Sequence, residues 1–352
     1  MSMNVSRILQ EDFLYLSQHY DFSALRGKSF FITGATGLLG KQFILFFDFL
    51  NCHQKFGISV FALVRDLEKA HKIFGKKNLK NTYFIKGDVL SLPKISEPID
   101  FIIHGASITS SQAFVKNPVE TIDVAVNGTK NILDKARVWH VKSVVYLSSM
   151  EVFGVTDGKS IVKESDYGYI DILNTRSSYS ESKRLCECLC ASYAQEYGVP
   201  IKIARLTQTF GPGIAYNDTR VAAQFARAVI EKKDIVLKTE GKTKRPVLYT
   251  RDALSAILTV LLRGKNGESY TAANPETFMT IRETAELIIE KIAEKKIQLV
   301  FDIDIPKEYA PNLNLNLNLN VDKLCALGWS PSVGIEDAYR NMIENMRSEN
   351  RI

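Results

Sequence analysis

A short apolar run, three glycines spaced by three and an apolar helical stretch follow one another directly in residues 29–47. The glycines are Gly34, Gly37 and Gly40. Glycine at these points lets the chain turn sharply and lets backbone N–H groups approach a pyrophosphate, which the positive end of the following helix also favours. A turn that only packs helix on strand is the alternative, but strand, turn and helix occur here in the order that a dinucleotide site requires. The segment therefore predicts a dinucleotide-binding βα unit.

Apolar runs and helical stretches continue to alternate after this unit, which is typical of a parallel sheet flanked by helices. The runs are continuously apolar, so we expect strands that are buried on both faces. The predicted fold class is α/β, a Rossmann doubly wound parallel sheet with a smaller C-terminal substrate-binding lobe. The predicted strands are residues 29–33, 58–64, 82–85, 100–104, 144–147 and 201–205.

The pattern divides the chain into three parts. Residues 1–27 resemble a helical extension, and residues 28–210 carry the alternation expected of a dinucleotide-binding Rossmann domain that also holds the catalytic residues. Residues 211–352 contain longer helices and regular prolines, so we expect mainly a C-terminal lobe, part of which can return to the sheet. Within it, residues 312–320 alternate Asn and Leu, which fits a strand of period two and equally a low-complexity insertion.

Length and composition are those of an ordinary globular protein. Hydrophobic residues make up 45% and charged residues 24% of the 352 residues, without the bias of disordered chains. The formal charge of +6 permits a nucleic-acid partner, but the lysines are dispersed and interleaved with acids, so no nucleic acid is expected. The longest apolar stretch, residues 43–50, is far shorter than the roughly 20 residues that cross a bilayer, so no membrane span is expected.

Cysteine usage indicates a reducing compartment. The chain has five cysteines, an odd number, which argues against a disulfide framework. Its N-terminus lacks the apolar core of a secretion signal, so we expect a cytoplasmic protein. Cys186, Cys188 and Cys190 lie two apart in a helical pattern that points successive thiols to different faces, and no metal site is therefore expected.

A tyrosine and a lysine four residues apart, Tyr179 and Lys183, open a helical stretch after the fifth predicted strand. This spacing places both side chains on one helix face. A phenol is a poor base at neutral pH, but a neighbouring ammonium and a nicotinamide cation both favour the phenolate. Tyr179 could then remove a hydroxyl proton while hydride leaves the same carbon. The same spacing is common on solvated helix faces, so the prediction depends on the surrounding motifs.

Further short motifs follow the predicted strands in order. Gly87-Asp88-Val89 stands after the third strand, His104-Gly105-Ala106-Ser107 after the fourth, and Asn127-Gly128-Thr129 beyond them. With the glycine loop they resemble the extended short-chain dehydrogenase/reductase family over roughly residues 28–330. The resemblance implies a bound NAD or NADP, contacted by residues from the glycine loop to the catalytic helix. They are Gly34, Thr36, Gly37, Leu38, Leu39, Gly40, Arg65, Asp88, Val89, His104, Gly105, Ala106, Ser107, Asn127, Tyr179 and Lys183.

The end of the second predicted strand reads Val64-Arg65-Asp66. Related NAD enzymes often place an acid here against the ribose hydroxyls. Arg65 could instead pair with the 2′-phosphate of NADP, because its planar fork matches phosphate geometry. We expect NAD, with NADP as the alternative that Arg65 keeps open.

The fifth predicted strand leads into Ser148-Ser149-Met150-Glu151. Here the resemblance narrows to nucleotide-sugar enzymes, which oxidise the sugar at C4 with a serine or threonine, a tyrosine and a lysine; it implies that Ser149 binds the reacting oxygen. In the 4,6-dehydratases an aspartate stands where this chain has Met150, and a thioether cannot donate a proton to a leaving hydroxyl. The segment most resembles the UDP-glucuronate decarboxylases, in which a threonine or serine and a glutamate stand at the positions of Ser149 and Glu151. A β-keto acid formed at C4 loses carbon dioxide readily, so the resemblance implies a reaction that needs no such acid.

Segments of the C-terminal half resemble the same subfamily. Residues 217–221 and 241–245 carry arginines, Arg220 and Arg245, that we expect at the diphosphate or at a sugar carboxylate, with surface ion pairing as the alternative for each. Gln208 stands where the family normally has asparagine, and Phe153 replaces a commoner tyrosine. The predicted substrate-binding residues are Thr109, Ser149, Gln208, Arg220 and Arg245.

The predicted activity is oxidation of a nucleotide-diphosphate sugar at C4 and modification of the ketone, foremost decarboxylation of a UDP-glucuronate-like substrate. Tyr179 is the predicted base, Lys183 tunes it, Ser149 polarises the oxygen and Glu151 assists. A 4-epimerase or 4,6-dehydratase, an NADPH-dependent 4-keto reductase and a noncatalytic cofactor-binding regulator are the alternatives. The resemblance also implies a homodimer joined by helices near residues 122–137 and 178–197.

Overall fold

The central sheet of the computed structural model, which describes residues 5–75, 79–156, 160–303 and 316–350, contains seven parallel strands. They are β1 (Ser29–Thr33), β2 (Ser59–Val64), β3 (Thr82–Lys86), β4 (Phe101–His104), β5 (Ser143–Ser149), β6 (Ile201–Leu206) and β10 (Ser269–Ala272). Their order is β10-β6-β5-β4-β1-β2-β3. The strand order reverses between β1 and β4, and in such sheets ligands bind in the crevice beyond the carboxyl ends of the strands at that point.

Helices cover both faces of the sheet, which explains why most of its strands are apolar and buried. The edge strand β3 departs from this expectation, because it is only partly buried and exposes Tyr83 and Lys86. In β1, Phe30 and Ile32 face one hydrophobic core and Phe31 faces the other. The first core also contains side chains of α1 (Arg7–His19), α2 (Leu38–Gln54), α3 (Leu67–Phe74) and α8 (Thr250–Arg263). The second contains side chains of α5 (Pro118–Val138) and α6 (Ser178–Tyr197), while the short α4 (Ser111–Lys116) precedes α5.

A third core belongs to the C-terminal half of the chain. It is built on α7 (Val221–Glu231), α9 (Ile281–Lys291) and α11 (Ile335–Asn350), with α10 (Asp322–Cys325) between the last two. Two small sheets accompany these helices. They consist of β7 (Gln208–Phe210), β9 (Lys244–Tyr249) and β11 (Asn274–Thr280), and of β8 (Ile235–Leu237) paired with β12 (Leu299–Phe301).

The N-terminal helix α1 packs on α2 and α8, which cover the sheet, and on α11 of the C-terminal half. Ser6 caps it, and the Ser6 hydroxyl also donates to Asn345 of α11 at 2.6 Å. Phe13 packs on Phe46 of α2 with ring centres 5.5 Å apart. The buried Asp12 accepts a hydrogen bond from Tyr249 at the end of β9. This helix therefore ties the Rossmann sheet to the lobe that follows it.

The fold class predicted from the sequence is confirmed, and the six predicted strands match β1 to β6 with small differences at their ends. The boundary at residue 211 stays a prediction, and β10 with α8 is the part of the later chain that lies on the central sheet. Of the Asn/Leu repeat, residues 312–315 lie outside the described residues. Asn316 and Leu319 form isolated bridges to Lys244 and Val162 instead of a continuous strand.

Two further expectations concern membranes and metals. In the described ranges, every helix is too short or too polar to traverse a lipid bilayer. Within the same ranges, His, Cys, Asp and Glu side chains nowhere gather in threes as a metal ion would require. The thiols of Cys186 and Cys190 are buried in α6, whereas that of Cys188 is exposed.

Candidate active site

Ser149 ends β5 at the carboxyl edge of the sheet, and a short 3-10 turn, Met150–Phe153, follows it. The Ser149 hydroxyl oxygen accepts a hydrogen bond from the backbone N–H of Glu151 at 3.2 Å, which starts this turn. A second hydrogen bond joins Ser149 to the Tyr179 hydroxyl. The turn thus directs Ser149 toward the first turn of α6.

Tyr179 lies in the first turn of α6, where its ring stacks on Phe114 of α4 with centres 4.4 Å apart. Burial raises the pKa of the Tyr179 phenol above its ordinary value, and the nearby Glu151 carboxylate raises it further. The hydrogen bond with Ser149 and the charge of Arg176 act in the opposite direction. Without further positive charge nearby, Tyr179 is therefore protonated at neutral pH.

Lys183 lies one helical turn beyond Tyr179 and is only 3% exposed. Its ammonium donates to the Leu147 carbonyl of β5 at 2.7 Å and lies 5.7 Å from the centre of the Tyr179 ring. Burial lowers the pKa of Lys183 to about 8. The helix and the strand thus hold a desolvated ammonium beside the phenol, as the spacing of the two residues predicts.

Glu151 forms a two-point ion pair with Arg176, whose two terminal nitrogens reach the two carboxylate oxygens at 2.9 and 3.0 Å. Ser180 of α6 donates to the same carboxylate at 2.8 Å. Glu151 is therefore held beside the Ser149–Tyr179 pair by groups from two other segments.

Met150 points away from these residues into the hydrophobic core under the sheet. Its sulfur accepts a hydrogen bond from the Thr207 hydroxyl at 3.1 Å. The side chain between Ser149 and Glu151 is thus a buried thioether, which cannot supply a proton to a substrate.

The glycine loop after β1 forms a close contact with the end of β4. A Cβ at Gly34, which has a φ of +71°, would lie 2.6 Å from the Gly105 carbonyl oxygen. A Cβ at Gly40 would lie 2.3 Å from the Gly34 carbonyl oxygen. Side chains at Gly34 and Gly40 would therefore force the loop and α2 apart. Gly37 at the N-cap has no side chain to satisfy the first amides of α2, which leaves these donors available to a pyrophosphate.

The remaining predicted cofactor residues line the same edge of the sheet. Thr36, Leu38 and Leu39 are half-buried in the glycine loop and the first turn of α2, and Ala106 and Ser107 are half-buried after β4.

Asp88 is half-buried after β3, where its carboxylate accepts a hydrogen bond from the Leu90 amide at 2.9 Å. Val89 is buried against Gly128 of α5, while Asn127 is exposed on that helix and donates to Asp123.

His104 has a supporting position at this edge. Its ring is fully buried, with one nitrogen 2.7 Å from the Thr33 hydroxyl and the other 3.1 Å from the Thr129 hydroxyl. Burial, with a contribution from Lys183, lowers the pKa of His104 to about 3, so the ring is neutral. The imidazole therefore connects β1, β4 and α5.

The side chains of Arg65 and Asp66, at the end of β2, have different surroundings. The Asp66 carboxylate caps α3 by accepting from the Lys69 amide at 2.9 Å. The Arg65 side chain is exposed. An acid is thus present at this point, but it is already engaged by the helix.

Of the predicted substrate residues, Arg245 of β9 and Gln208 of β7 meet in the C-terminal half. Nη2 of Arg245 donates to the Gln208 side-chain oxygen at 2.7 Å. Nη1 is buried and has no hydrogen-bond partner in the part of the chain that the structure describes. Burial lowers the pKa of Arg245, and the charges of Glu151 and Arg176 both act on it, which places the guanidinium near the ion pair. Arg245 and Gln208 also line a pocket with Phe225, Met279, Ile335 and Tyr339.

The other two predicted substrate residues lie apart from this cluster. Arg220, at the start of α7, is largely exposed and pairs with Asp218 at 2.6 Å. Thr109 is exposed in the loop between β4 and α4. The positions of these two residues neither support nor contradict a contact with substrate, so both roles stay predictions.

Comparison with known proteins places this arrangement in a family. The sequence model of the NAD dependent epimerase/dehydratase family matches residues 30–274. The chain belongs to this family. Its members are enzymes, and the extended short-chain dehydrogenase/reductase resemblance noted in the sequence is confirmed.

Individual relatives of this NAD dependent epimerase/dehydratase chain include nucleotide-sugar enzymes. UDP-glucuronic acid decarboxylase 6 of Arabidopsis thaliana is 28% identical, with 92% of each chain covered. UDP-glucuronic acid decarboxylase 1 of Danio rerio is also 28% identical, covering 92% of this chain and 73% of the fish protein. Human dTDP-D-glucose 4,6-dehydratase is 26% identical, with 90% of this chain and 89% of the human protein covered.

Solved structures of the family share the fold. The UDP-N-acetylglucosamine 4-epimerase of Methanobrevibacter ruminantium superposes with a TM-score of 0.77 at 20% identity, covering 92% of this chain and 99% of the epimerase. The dTDP-glucose 4,6-dehydratase of Bacillus anthracis, in complex with NAD, superposes with a TM-score of 0.72 at 20% identity, covering 92% and 97%. NAD is the cofactor of this family, and the close-packed glycine loop fits it.

Three residues of the site were not predicted from the sequence. Arg176 and Ser180 bind Glu151, and Phe114 stacks on Tyr179. Arg176 precedes Tyr179 by three residues, a spacing that places neighbours together at the start of a helix and was available as a signal. Phe114 comes from a separate helix, and its contact could not be read from local spacing.

Proposed function

We propose that this enzyme oxidises a nucleotide-diphosphate-linked hexuronate at C4 and then releases the carboxylate on C5 as carbon dioxide. The observation that supports it best is Nη1 of Arg245, a buried guanidinium nitrogen near the Glu151–Arg176 pair that has no hydrogen-bond partner among the described residues. A buried cationic donor is costly to leave unpaired. An anionic group of the substrate is the partner with the right charge and geometry for it.

In this proposal Tyr179 accepts the C4 hydroxyl proton as hydride leaves C4. Bound NAD supplies the hydride acceptor and returns the hydride at the end of the cycle. Lys183 stabilises the phenolate of Tyr179, and Ser149 donates to the C4 oxygen as it becomes a carbonyl. The C4 ketone is β to the carboxylate, so the C5–carboxylate bond breaks with its electrons delocalised onto the C4 oxygen. A proton from water adds at C5, and Tyr179 gives its proton back to the C4 oxygen as hydride returns to C4, which completes a redox-neutral decarboxylation.

The buried Met150 favours this reaction over dehydration. Loss of a C6 hydroxyl as water needs an acid to protonate it, and the side chain that follows Ser149 is a thioether in the core. Carbon dioxide leaves without protonation. The similarity to UDP-glucuronic acid decarboxylases supports the proposal. The similarity to the human dTDP-D-glucose 4,6-dehydratase makes dehydration the alternative to test.

A direct test incubates the purified protein and NAD with UDP-glucuronate, UDP-glucose and dTDP-glucose and follows products by mass spectrometry and proton NMR. We expect conversion of UDP-glucuronate to a UDP-pentose. Loss of water from a neutral sugar, or a new isomer of unchanged mass, would replace the proposal with a dehydratase or an epimerase. Turnover by Tyr179→Phe would contradict the role of Tyr179.

The contribution of Arg245 is tested with Arg245→Met. Because a buried charged pair in the complex loses one partner, we expect kcat/KM to fall by roughly a hundredfold, about 3 kcal/mol. Arg340→Met is the matched control, since Arg340 is exposed on α11 and pairs with Glu336. If the two variants lose activity equally, the proposed anion contact is wrong.

We also propose that the enzyme is a homodimer joined by α5 and α6. These helices pack side by side in the second core and still expose apolar side chains outward, including Val119, Ile122, Val138 and Leu185. Pairing of this face with its copy would bury these side chains in an isologous interface.

A further inference from the structure

The pairing of Glu151 with Arg176 is built more rigidly than an incidental ion pair. Arg176 belongs to a short 3-10 turn, Thr175–Ser177, whose backbone is capped by the Asn174 side chain at 3.0 Å. Its guanidinium matches both carboxylate oxygens and is only 12% exposed at the side chain. A two-point pair of this kind fixes direction as well as distance.

The same guanidinium packs against the aromatic ring that supports the proposed base. Arg176 lies over Phe114, 4.9 Å from the ring centre, and Phe114 also stacks on the Tyr179 ring, with the two rings inclined by 13°. Glu151, Arg176, Phe114 and Tyr179 therefore form one contiguous assembly. A displacement of the guanidinium would disturb both the acid and the base.

The charges in this assembly oppose one another at Tyr179. In the described part of the chain, the titratable groups that face its phenol are Lys183 of its own helix, Tyr146 of β5, and the Glu151–Arg176 pair. Arg245 of β9 lies beyond that pair and interacts with both of its members. An isolated carboxylate this close to Tyr179 would oppose formation of a phenolate, whereas a paired one opposes it far less.

We propose that Arg176 is a positioning residue of the active site, which fixes the direction of the Glu151 carboxylate and offsets its charge at Tyr179. The inference rests on the proposed role of Tyr179 as the base in sugar oxidation, but not on decarboxylation. Arg176 thereby allows a carboxylate to lie beside a phenol that must become a phenolate. A lysine would carry the charge without the two-point geometry.

The test isolates the oxidation step. Each variant, saturated with NAD, is mixed rapidly with whichever of UDP-glucuronate, UDP-glucose or dTDP-glucose reduces the bound cofactor, and the appearance of NADH is followed across a pH series. The variants are Arg176→Met, Arg176→Lys, Glu151→Gln and the double variant Arg176→Met/Glu151→Gln. Arg340→Met is the surface control, and thermal melts establish that each variant is folded.

In Arg176→Met, the unpaired carboxylate should shift the pH midpoint of NADH formation upward by about one unit, which is roughly a tenfold loss of rate at neutral pH. The double variant should bring the midpoint back near that of the wild type, because both charges are gone. Arg176→Lys should keep the midpoint and lose rate through misdirection of Glu151. A lower rate at an unchanged midpoint in Arg176→Met, or no recovery in the double variant, would overturn the inference.

A second measurement does not require a substrate. The phenolate absorbance of each NAD-saturated variant is titrated with pH and compared with that of the same variant carrying Tyr179→Phe, so that the difference reports Tyr179. We expect a higher midpoint in Arg176→Met and its reversal in the double variant; equal midpoints would reject the inference. Because product masses are measured separately, failure of the decarboxylation proposal leaves this result interpretable.

Discussion

Arg65 and Asp66 are neighbours with different tasks. Asp66 is an N-cap of α3, and such a cap contributes about 1 kcal/mol to stability. Arg65 is exposed at the carboxyl end of β2, the strand next to β1, after which the glycine loop begins. The acid at this position is thus explained by helix capping, and Arg65 stays the predicted partner of the 2′-phosphate of NADP.

We therefore expect Arg65→Ala to weaken NADP binding by about tenfold and to change NAD affinity little, because only NADP offers a phosphate to the guanidinium. Calorimetric titration of both dinucleotides into both proteins measures this. Asp66→Ala is the companion variant, expected to melt earlier while binding NAD normally. Selective loss of NAD binding in Asp66→Ala would show that the carboxylate also contacts the ribose.

Lys183 is a residue at which function and stability conflict. Burial lowers its pKa from the ordinary 10.5 to about 8, so below pH 8 the fold holds a desolvated ammonium. Between pH 8 and 10.5 the unfolded chain binds more protons than the folded chain, so this residue's contribution to stability rises with pH. The two pKa values differ by an amount that corresponds to at most about 3 kcal/mol.

Lys183→Met should therefore melt at a higher temperature than the wild type at pH 7, and the gain should shrink toward pH 10. The lost hydrogen bond to Leu147 reduces the expected gain to about 1–2 kcal/mol. Oxidation of substrate should be lost. Denaturant unfolding of both proteins at the two pH values checks the first part. A variant less stable than the wild type at pH 7 would show that the ammonium stabilises the fold.

At the scale of elements, the sequence pattern predicts the first six strands of the Rossmann sheet but not the short strands of the C-terminal half. Each of β1 to β6 is a short, mainly apolar run next to its own crossover, so local pattern predicts it even where a charged residue interrupts it, as Lys202 does in β6. The strands β8 and β12 have three residues each and pair across 64 positions, which no local pattern encodes. Met150 shows the same limit in the site, since only the packed structure reveals that its side chain enters the core.

The helix α1 introduces a pH-sensitive contact between the sheet and the lobe. Asp12 accepts from Tyr249 at 2.7 Å and pairs with Arg251 at 3.2 Å, yet burial dominates and raises its pKa from the ordinary 3.8 to about 7. The folded chain therefore binds more protons than the unfolded chain between pH 4 and 7. The stability contributed by Asp12 is full below pH 4 and is lost as the pH rises to 7.

Asp12→Asn should remove this loss, because the amide keeps an acceptor for Tyr249 and carries no charge. We expect the variant to be more stable than the wild type at pH 8, by at most about 4 kcal/mol, and nearly equal to it at pH 4. Denaturant unfolding at both pH values provides the comparison. A variant that is less stable at pH 8 would show that the ion pair with Arg251 outweighs burial.

At the scale of the whole molecule, the exposed apolar face is formed by α5 and α6, and α6 also carries Tyr179 and Lys183. Val119 is 78% and Leu185 48% exposed. Substitution of both by glutamate would place each charge twice in an isologous interface, and buried unpaired charges are strongly destabilising. We expect the wild type to be a dimer by light scattering and Val119→Glu/Leu185→Glu to be a monomer at the same concentration.

The control for this prediction is Val236→Glu, because Val236 on β8 is 45% exposed, close to the value for Leu185, and lies outside the helical face. It should remain dimeric and active. Since α6 positions the base and the ammonium, the monomeric variant should lose kcat more than substrate affinity. A monomeric wild type, or a double variant that still dimerises, would show that this face meets another partner or solvent, and the rigidity of α6 would then have to come from its packing on α5 and β6 alone.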